Sequence, residues 1–188
     1  VNVACGSSST SQVQTAGGIV VPMTVTIACY DVSGRTVEDV RASIDVHRAL
    51  APKADDGFDA ATRWDFRINW TLRTATAACF AATLRPTFAV TFTYPKLQPD
   101  DGASQDLVKR WNAYIAALQQ HEAGHQQNGI DAMSAAVDDI APLRAPTCAE
   151  FEQLADGRIS QATATGDAAD RAYDAATDHG SAQGANLP

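Results

Sequence analysis

The chain has 188 residues, 45% of them apolar and 19% charged, with 14 Lys and Arg against 22 Asp and Glu for a net charge of −8. That length suits one domain with a sizeable core, and the apolar share excludes disorder of the whole chain. The acidity argues against a nucleic-acid partner, and no run nears the roughly 18 apolar residues of a membrane-spanning helix.

Residues 1–18, rich in Ser, Thr, Gln and Gly, read as a flexible lead-in to a single domain over 19–188. Val21, Met23, Val25, Ile27 and Cys29 then alternate with polar or small residues, the period-two pattern of a strand, with Pro22 near its start marking an end or an edge. A turn at Ser33–Thr36 follows. Thr36 is placed to cap a helix whose apolar stripe is Val37, Val40, Ile44 and Leu50. Residues 51–62 read as a loop.

Trp64, Phe66, Ile68, Trp70 and Leu72 alternate with Asp65, Arg67, Asn69, Thr71 and Arg73, so one face is apolar and the other polar. Phe88, Val90, Phe92 and Tyr94 repeat the pattern up to Pro95, with 74–86 as a wide connection and Pro99–Gly102 as a turn. The period then changes. From Ser104 to about Ile140, apolar residues and two histidines recur at helical steps until Pro142, and a last helix runs from about Cys148 to Thr177, with an interruption expected near Gly166. Sheet first and helices after is an α+β order, with a small antiparallel sheet packed on the two long helices.

Cys5, Cys29, Cys79 and Cys148 form no CxxC pair, and an even count at wide spacing fits two disulfides in an oxidising compartment. Three connectivities are open. Cys5–Cys29 with Cys79–Cys148 is favoured because it joins the amino-terminal segment to its nearest strand. The start at Val1 suggests a processed chain, and Cys5 before Gly6-Ser7-Ser8 has a weak likeness to a lipoprotein tether.

The chemistry concentrates at His121-Glu122-Ala123-Gly124-His125, an HExxH motif inside the long helix. Positions i and i+4 share a helix face, so His121 and His125 can ligate one metal ion, with zinc the best fit. Glu122 lies about 100° around the helix, beside the ion, where it can take a proton from an attacking water. The chain has only four His and four Glu, so chance predicts roughly 0.002 such motifs. A third ligand comes from elsewhere: His179 is the leading candidate, with Glu150, Glu152 or one of several downstream Asp as carboxylate alternatives. Tyr173 is a candidate for stabilising an oxyanion, and Asp174 or Asp131 for orienting a ligating imidazole. His47 reads as a surface or core-edge residue.

Four segments together carry a resemblance. They are Tyr30-Asp31-Val32-Ser33-Gly34-Arg35-Thr36, the Trp64–Trp70 strand, Trp111-Asn112-Ala113-Tyr114 leading into the HExxH motif, and Tyr173-Asp174 with Thr177-Asp178-His179-Gly180. They resemble bacterial domain-of-unknown-function family 922, described as predicted secreted zinc-dependent proteases. The resemblance implies a zincin-like metallopeptidase outside the cytoplasm, secreted, periplasmic or anchored to the envelope. It implies His121, His125 and His179 as Zn2+ ligands, Glu122 as the catalytic residue, a Cys79–Cys148 disulfide, and a peptide or protein as substrate. The expected function is therefore peptide-bond hydrolysis. An inactive zinc-stabilised envelope module and a zinc amidase acting on cell-wall peptides are the alternatives. No feature fixes an oligomeric state.

Overall fold

The computed structural model describes residues 4–48, 58–98 and 102–187, and among the described residues there are four strands and three α-helices. In order they are β1 (Ser7–Gln14), β2 (Val20–Val32), α1 (Val37–Arg48), β3 (Ala61–Ala75), β4 (Ala78–Leu97), α2 (Gln105–Ile140) and α3 (Cys148–Thr177), with a short 3-10 turn over Ser181–Gln183. Residues 51–57 of the expected loop, Leu50 of the α1 stripe and residues 99–101 of the expected turn lie outside the described residues.

The sheet order is β1-β2-β4-β3. It is mixed rather than antiparallel: β1 with β2 and β3 with β4 run antiparallel, but β2 and β4 run parallel. Alternation along a strand reports which face is buried and is silent on direction. Direction is set here by the crossover through α1, which sends the chain past β4 to the far edge before it returns. Residues 7–14, within the expected flexible lead-in, instead form the edge strand β1, exposed along most of its length and closed by the Cys5–Cys29 disulfide.

One sheet face supplies Phe66, Ile68, Phe88 and Val90 to the core, where they meet Met133, Val137 and Ile140 of α2 and Phe151 and Ala155 of α3, all buried. Each large side chain so buried stabilises the fold by roughly 1.5–3 kcal/mol. Thr36 caps α1 as expected, accepting from the Asp39 N–H at 3.1 Å, and Val40 and Ile44 are fully buried. Ser104 and Thr147 cap α2 and α3, the latter in a reciprocal box with Glu150. No described helix is long and apolar enough to cross a membrane.

The second disulfide, Cys79–Cys148, joins the start of β4 to the start of α3. A backbone bridge between Cys79 and Ala145 reinforces it, with N–H to O distances of 2.7 and 3.0 Å. Two disulfides fit an oxidising, extracytoplasmic environment. The connection between β3 and β4 is two residues long, not the wide one expected: Thr76 and Ala77 both have positive φ, the signature of a tight hairpin turn. Helix α3 is continuous through Gly166. That glycine, together with Gly129 on α2, leaves room for the Trp64 ring, since a Cβ at either position would stand within 2.8 Å of the indole.

Candidate metal centre

Helices α2 and α3 face each other over the site, and each contributes a pair of side chains one turn apart. From α2 come His121 and His125; from α3 come Asp170 and Asp174. The two Nε2 atoms are 3.3 Å apart, and Asp174 Oδ1 stands 3.1 Å from one and 3.0 Å from the other. These three residues form a group able to hold a metal ion.

Hydrogen bonds on the far side of each ring decide what these atoms are. His121 Nδ1 is 3.0 Å from Gln183 Oε1, and His125 Nδ1 is 2.9 Å from Asp170 Oδ1. Both partners only accept, because the Gln183 amide nitrogen donates to the Tyr173 hydroxyl at 2.9 Å and Asp170 is a carboxylate. Each Nδ1 therefore carries a proton, and in the neutral imidazoles each Nε2 keeps a lone pair. Two lone pairs and a carboxylate oxygen then converge within about 3 Å. A cation resolves that repulsion, whether a metal ion or a proton on His125 held by Asp174. A tetrahedral ion with bonds of roughly 2.0–2.1 Å has ligand–ligand edges of about 3.3–3.4 Å, close to the three separations found.

Asp170 holds more than His125. Its Oδ1 also accepts from Asn128 at 2.8 Å and its Oδ2 from the Trp64 indole at 2.8 Å. Burial works against its charge, but these three donors outweigh it and hold its pKa below the ordinary carboxylate value. His121 is pushed down by burial, whereas in His125 burial is overcome by Asp170 and Asp174 and the pKa rises.

Glu122 is 3% exposed and accepts from Thr62 Oγ1 at 2.7 Å. Burial raises its pKa to about 7, although the Thr62 hydrogen bond pulls the other way. A carboxylate with its pKa near neutrality suits a group that must take and return a proton. His121, Glu122, His125, Asp174 and His179 all line one cavity of about 620 Å³.

The other expected site residues are placed as follows. His179 sits past the end of α3, where Asp178 and His179 both take left-handed backbone angles, each φ 49°. Such angles cost non-glycine residues roughly 1–2 kcal/mol apiece. Its ring stacks on Phe58 at 4.3 Å, its side chain is 46% exposed, and its Nδ1 is 3.7 Å from Asp174 Oδ1. Tyr173 stacks on His121 at 5.0 Å and does not line the cavity; its hydroxyl is engaged by Gln183. Gly124 makes room for that ring, since a Cβ there would meet it at 2.3 Å. Glu150 belongs to the α3 cap, Glu152 is exposed, Asp131 accepts from Gln127, and His47 bonds Ser43 on its own helix. Asp174, expected to orient an imidazole from behind, instead faces both Nε2 atoms. Asp170 and Gln183 do the orienting, and neither stood out among 18 Asp and a run of polar residues.

The family model for "Bacterial protein of unknown function (DUF922)" matches residues 27–180. The chain belongs to this family. The match begins within β2 and takes in α1, β3, β4, the HExxH helix and the α3 end with His179. No curated protein and no solved structure matches the chain.

Proposed function

We propose that this chain is a secreted, zinc-dependent metallopeptidase in which His121, His125 and Asp174 hold the ion and Glu122 is the catalytic acid and base. The observation that carries the reading is the convergence of three acceptors at 3.0–3.3 Å with a buried carboxylate beside them in one cavity. Zinc held there would supply Lewis-acid polarisation of a carbonyl and make water acidic enough to react near neutral pH.

The chain's own residues do the rest. Glu122 takes the proton of the attacking water and hands it to the leaving amine, and Thr62 keeps its carboxylate turned toward the cavity. Gln183 and Asp170 fix the imidazole tautomers that turn both Nε2 atoms toward the ion. His179 joins the ligand set only by turning off Phe58. Tyr173 holds the plane of His121 from behind.

The test combines metal analysis with cleavage of a broad peptide library. The expected result is about one zinc per chain, cleavage by the parent protein, and loss of cleavage with zinc retained in Glu122→Gln. Zinc bound with no peptide cut would overturn the reading in favour of a zinc-stabilised envelope module. Cleavage confined to cell-wall peptides would make it an amidase. X-ray absorption at the zinc edge of Asp174→Asn and His179→Ala assigns the third ligand: the first variant should change the coordination shell and the second should not.

A further inference from the structure

Tyr114, Leu118 and Glu122 follow one another at four-residue steps on α2 and so form one stripe along it. The segment facing that stripe is pinned at both ends. Asp59 accepts from the Tyr114 hydroxyl, and Thr62 donates to the Glu122 carboxylate at 2.7 Å. Ala60 and Ala61, between those two anchors, therefore lie opposite Leu118. All three line the cavity that holds the His121–Asp174 group. Leu118 is one turn from Glu122, roughly 6 Å along the helix axis.

The residues after α3 supply another wall. Gln183 Oε1 is 3.0 Å from His121 Nδ1, and a Cβ on Gly184 would stand 3.8 Å from that of Ala117, so this segment runs back along α2 from the imidazoles. Leu187 follows on that run, 6% exposed, and lines the same cavity. The Asn186 amide beside it donates to the Ser181 carbonyl at 3.0 Å. The cavity also reaches Arg41 and Arg48, whose charges are met by Asp59 and Asp45. Its character therefore changes along α2. A carboxylate and two imidazoles stand at one end, an apolar turn follows at Leu118, and ion pairs balanced within the protein lie beyond.

We propose that the substrate is a polypeptide cut beside an aliphatic residue, whose side chain enters the apolar turn between Leu118, Ala60 and Leu187 while the neighbouring bond lies at Glu122. The inference rests on the peptidase reading and names its substrate class. An aliphatic side chain exchanges water for apolar walls there. A charged one loses its water and meets arginines and aspartates that are already paired. One methylene in an apolar pocket is worth about 10–200-fold in kcat/KM, so the discrimination is large enough to read.

The experiment offers the protein a mixture of Gly- and Ser-based peptides that differ at one central residue, Gly, Leu, Asp or Lys. Relative kcat/KM is read by competition and the cut sites are mapped by mass. A ratio taken within one reaction is independent of how much of a variant is folded. Cuts should fall beside the central residue, with Leu preferred over Gly, Asp and Lys by at least about tenfold. Leu118→Ala and Leu187→Ala should each lower the Leu-over-Gly ratio by about fivefold or more. Leu154→Ala, the same truncation at a site 46% exposed on α3, should leave it unchanged. Fluorescent forms of the four peptides, titrated by anisotropy onto zinc-loaded Glu122→Gln protein, should bind in the same order without turnover. No preference for Leu, a preference for Asp, a ratio that neither cavity variant moves, or an equal fall in Leu154→Ala overturns the proposal. Leu-selective binding without cleavage by the parent protein would sink the peptidase reading alone, and cleavage without Leu preference would sink this proposal alone.

Discussion

Two clusters of partly buried charge meet α2 seven residues apart, at Tyr114 and at His121, and are built on opposite plans. Around Asp59, acceptors and donors match. Its oxygens take hydrogen bonds from Arg41, Arg48 and the Tyr114 hydroxyl, and its backbone carbonyl takes the Tyr30 hydroxyl at 2.6 Å. Burial, with Asp59 nearby, drives both phenols well above their ordinary range, so both stay protonated donors. Around Asp174, two imidazole Nε2 atoms and a carboxylate oxygen converge, with the Nδ1 donors turned outward. The first cluster is complete in itself; the second could take a cation.

The sharpest way to break that contrast is Glu122→Gln. It should lower peptide cleavage by about 10²–10⁴-fold while zinc content is unchanged, since it removes a proton carrier and no ligand. Asp59→Ala should do the reverse. It removes the carboxylate that the half-buried Arg41 and Arg48 and the buried Tyr114 hydroxyl share, and should cost roughly 1–3 kcal/mol in denaturant unfolding, with zinc affinity of the folded protein intact. If Asp59→Ala instead abolished zinc binding, the two clusters would be one. Asp170→Asn should weaken zinc binding by about 10–100-fold in competition with a chelator, because the His125 tautomer loses its anchor.

The acid limb of the stability profile separates the clusters further. Burial opposes the charge on Asp59, but the Arg41 and Tyr114 hydrogen bonds outweigh it and hold its pKa below the ordinary value. Its contribution is therefore complete above the unfolded value near ~3.9 and drains as pH falls through the lower folded value. Thermal unfolding of the metal-free protein should slide below about pH 4, and Asp59→Asn should flatten that part of the slope. The smallest effect is expected from Tyr173→Phe. Activity should change only a few-fold, whereas loss of an oxyanion donor would cost about 10²–10³-fold and would restore Tyr173 to the reaction.

Much of this was legible in one dimension because rare residues and strong periods carried it. The bounds of α2 follow from helical spacing between Ser104 and Pro142, and those of α3 from Cys148 to Thr177, although the break expected near Gly166 is absent and the Thr147 cap was not read. The HExxH pair was readable because histidine is scarce. Asp174 was not: one Asp among many on α3 becomes a ligand only when α2 is laid against it, and no local pattern reports that. The Thr76-Ala77 turn escaped notice because neither residue favours left-handed backbone, so the hairpin is imposed by the pairing of β3 with β4. Strand β1 was hidden because an exposed edge carries no apolar alternation. The parallel pairing of β2 with β4 is a matter of connection rather than composition.

Trp64 connects these levels. Its ring lies between Gly129 and Gly166, while its indole N–H tethers Asp170. The two imidazoles belong to one of the helices it separates and Asp174 to the other. The thickness of a single indole thus sets the separation of the two helices beside the site. Any ion held between them would have its radius limited by a side chain that does not touch it.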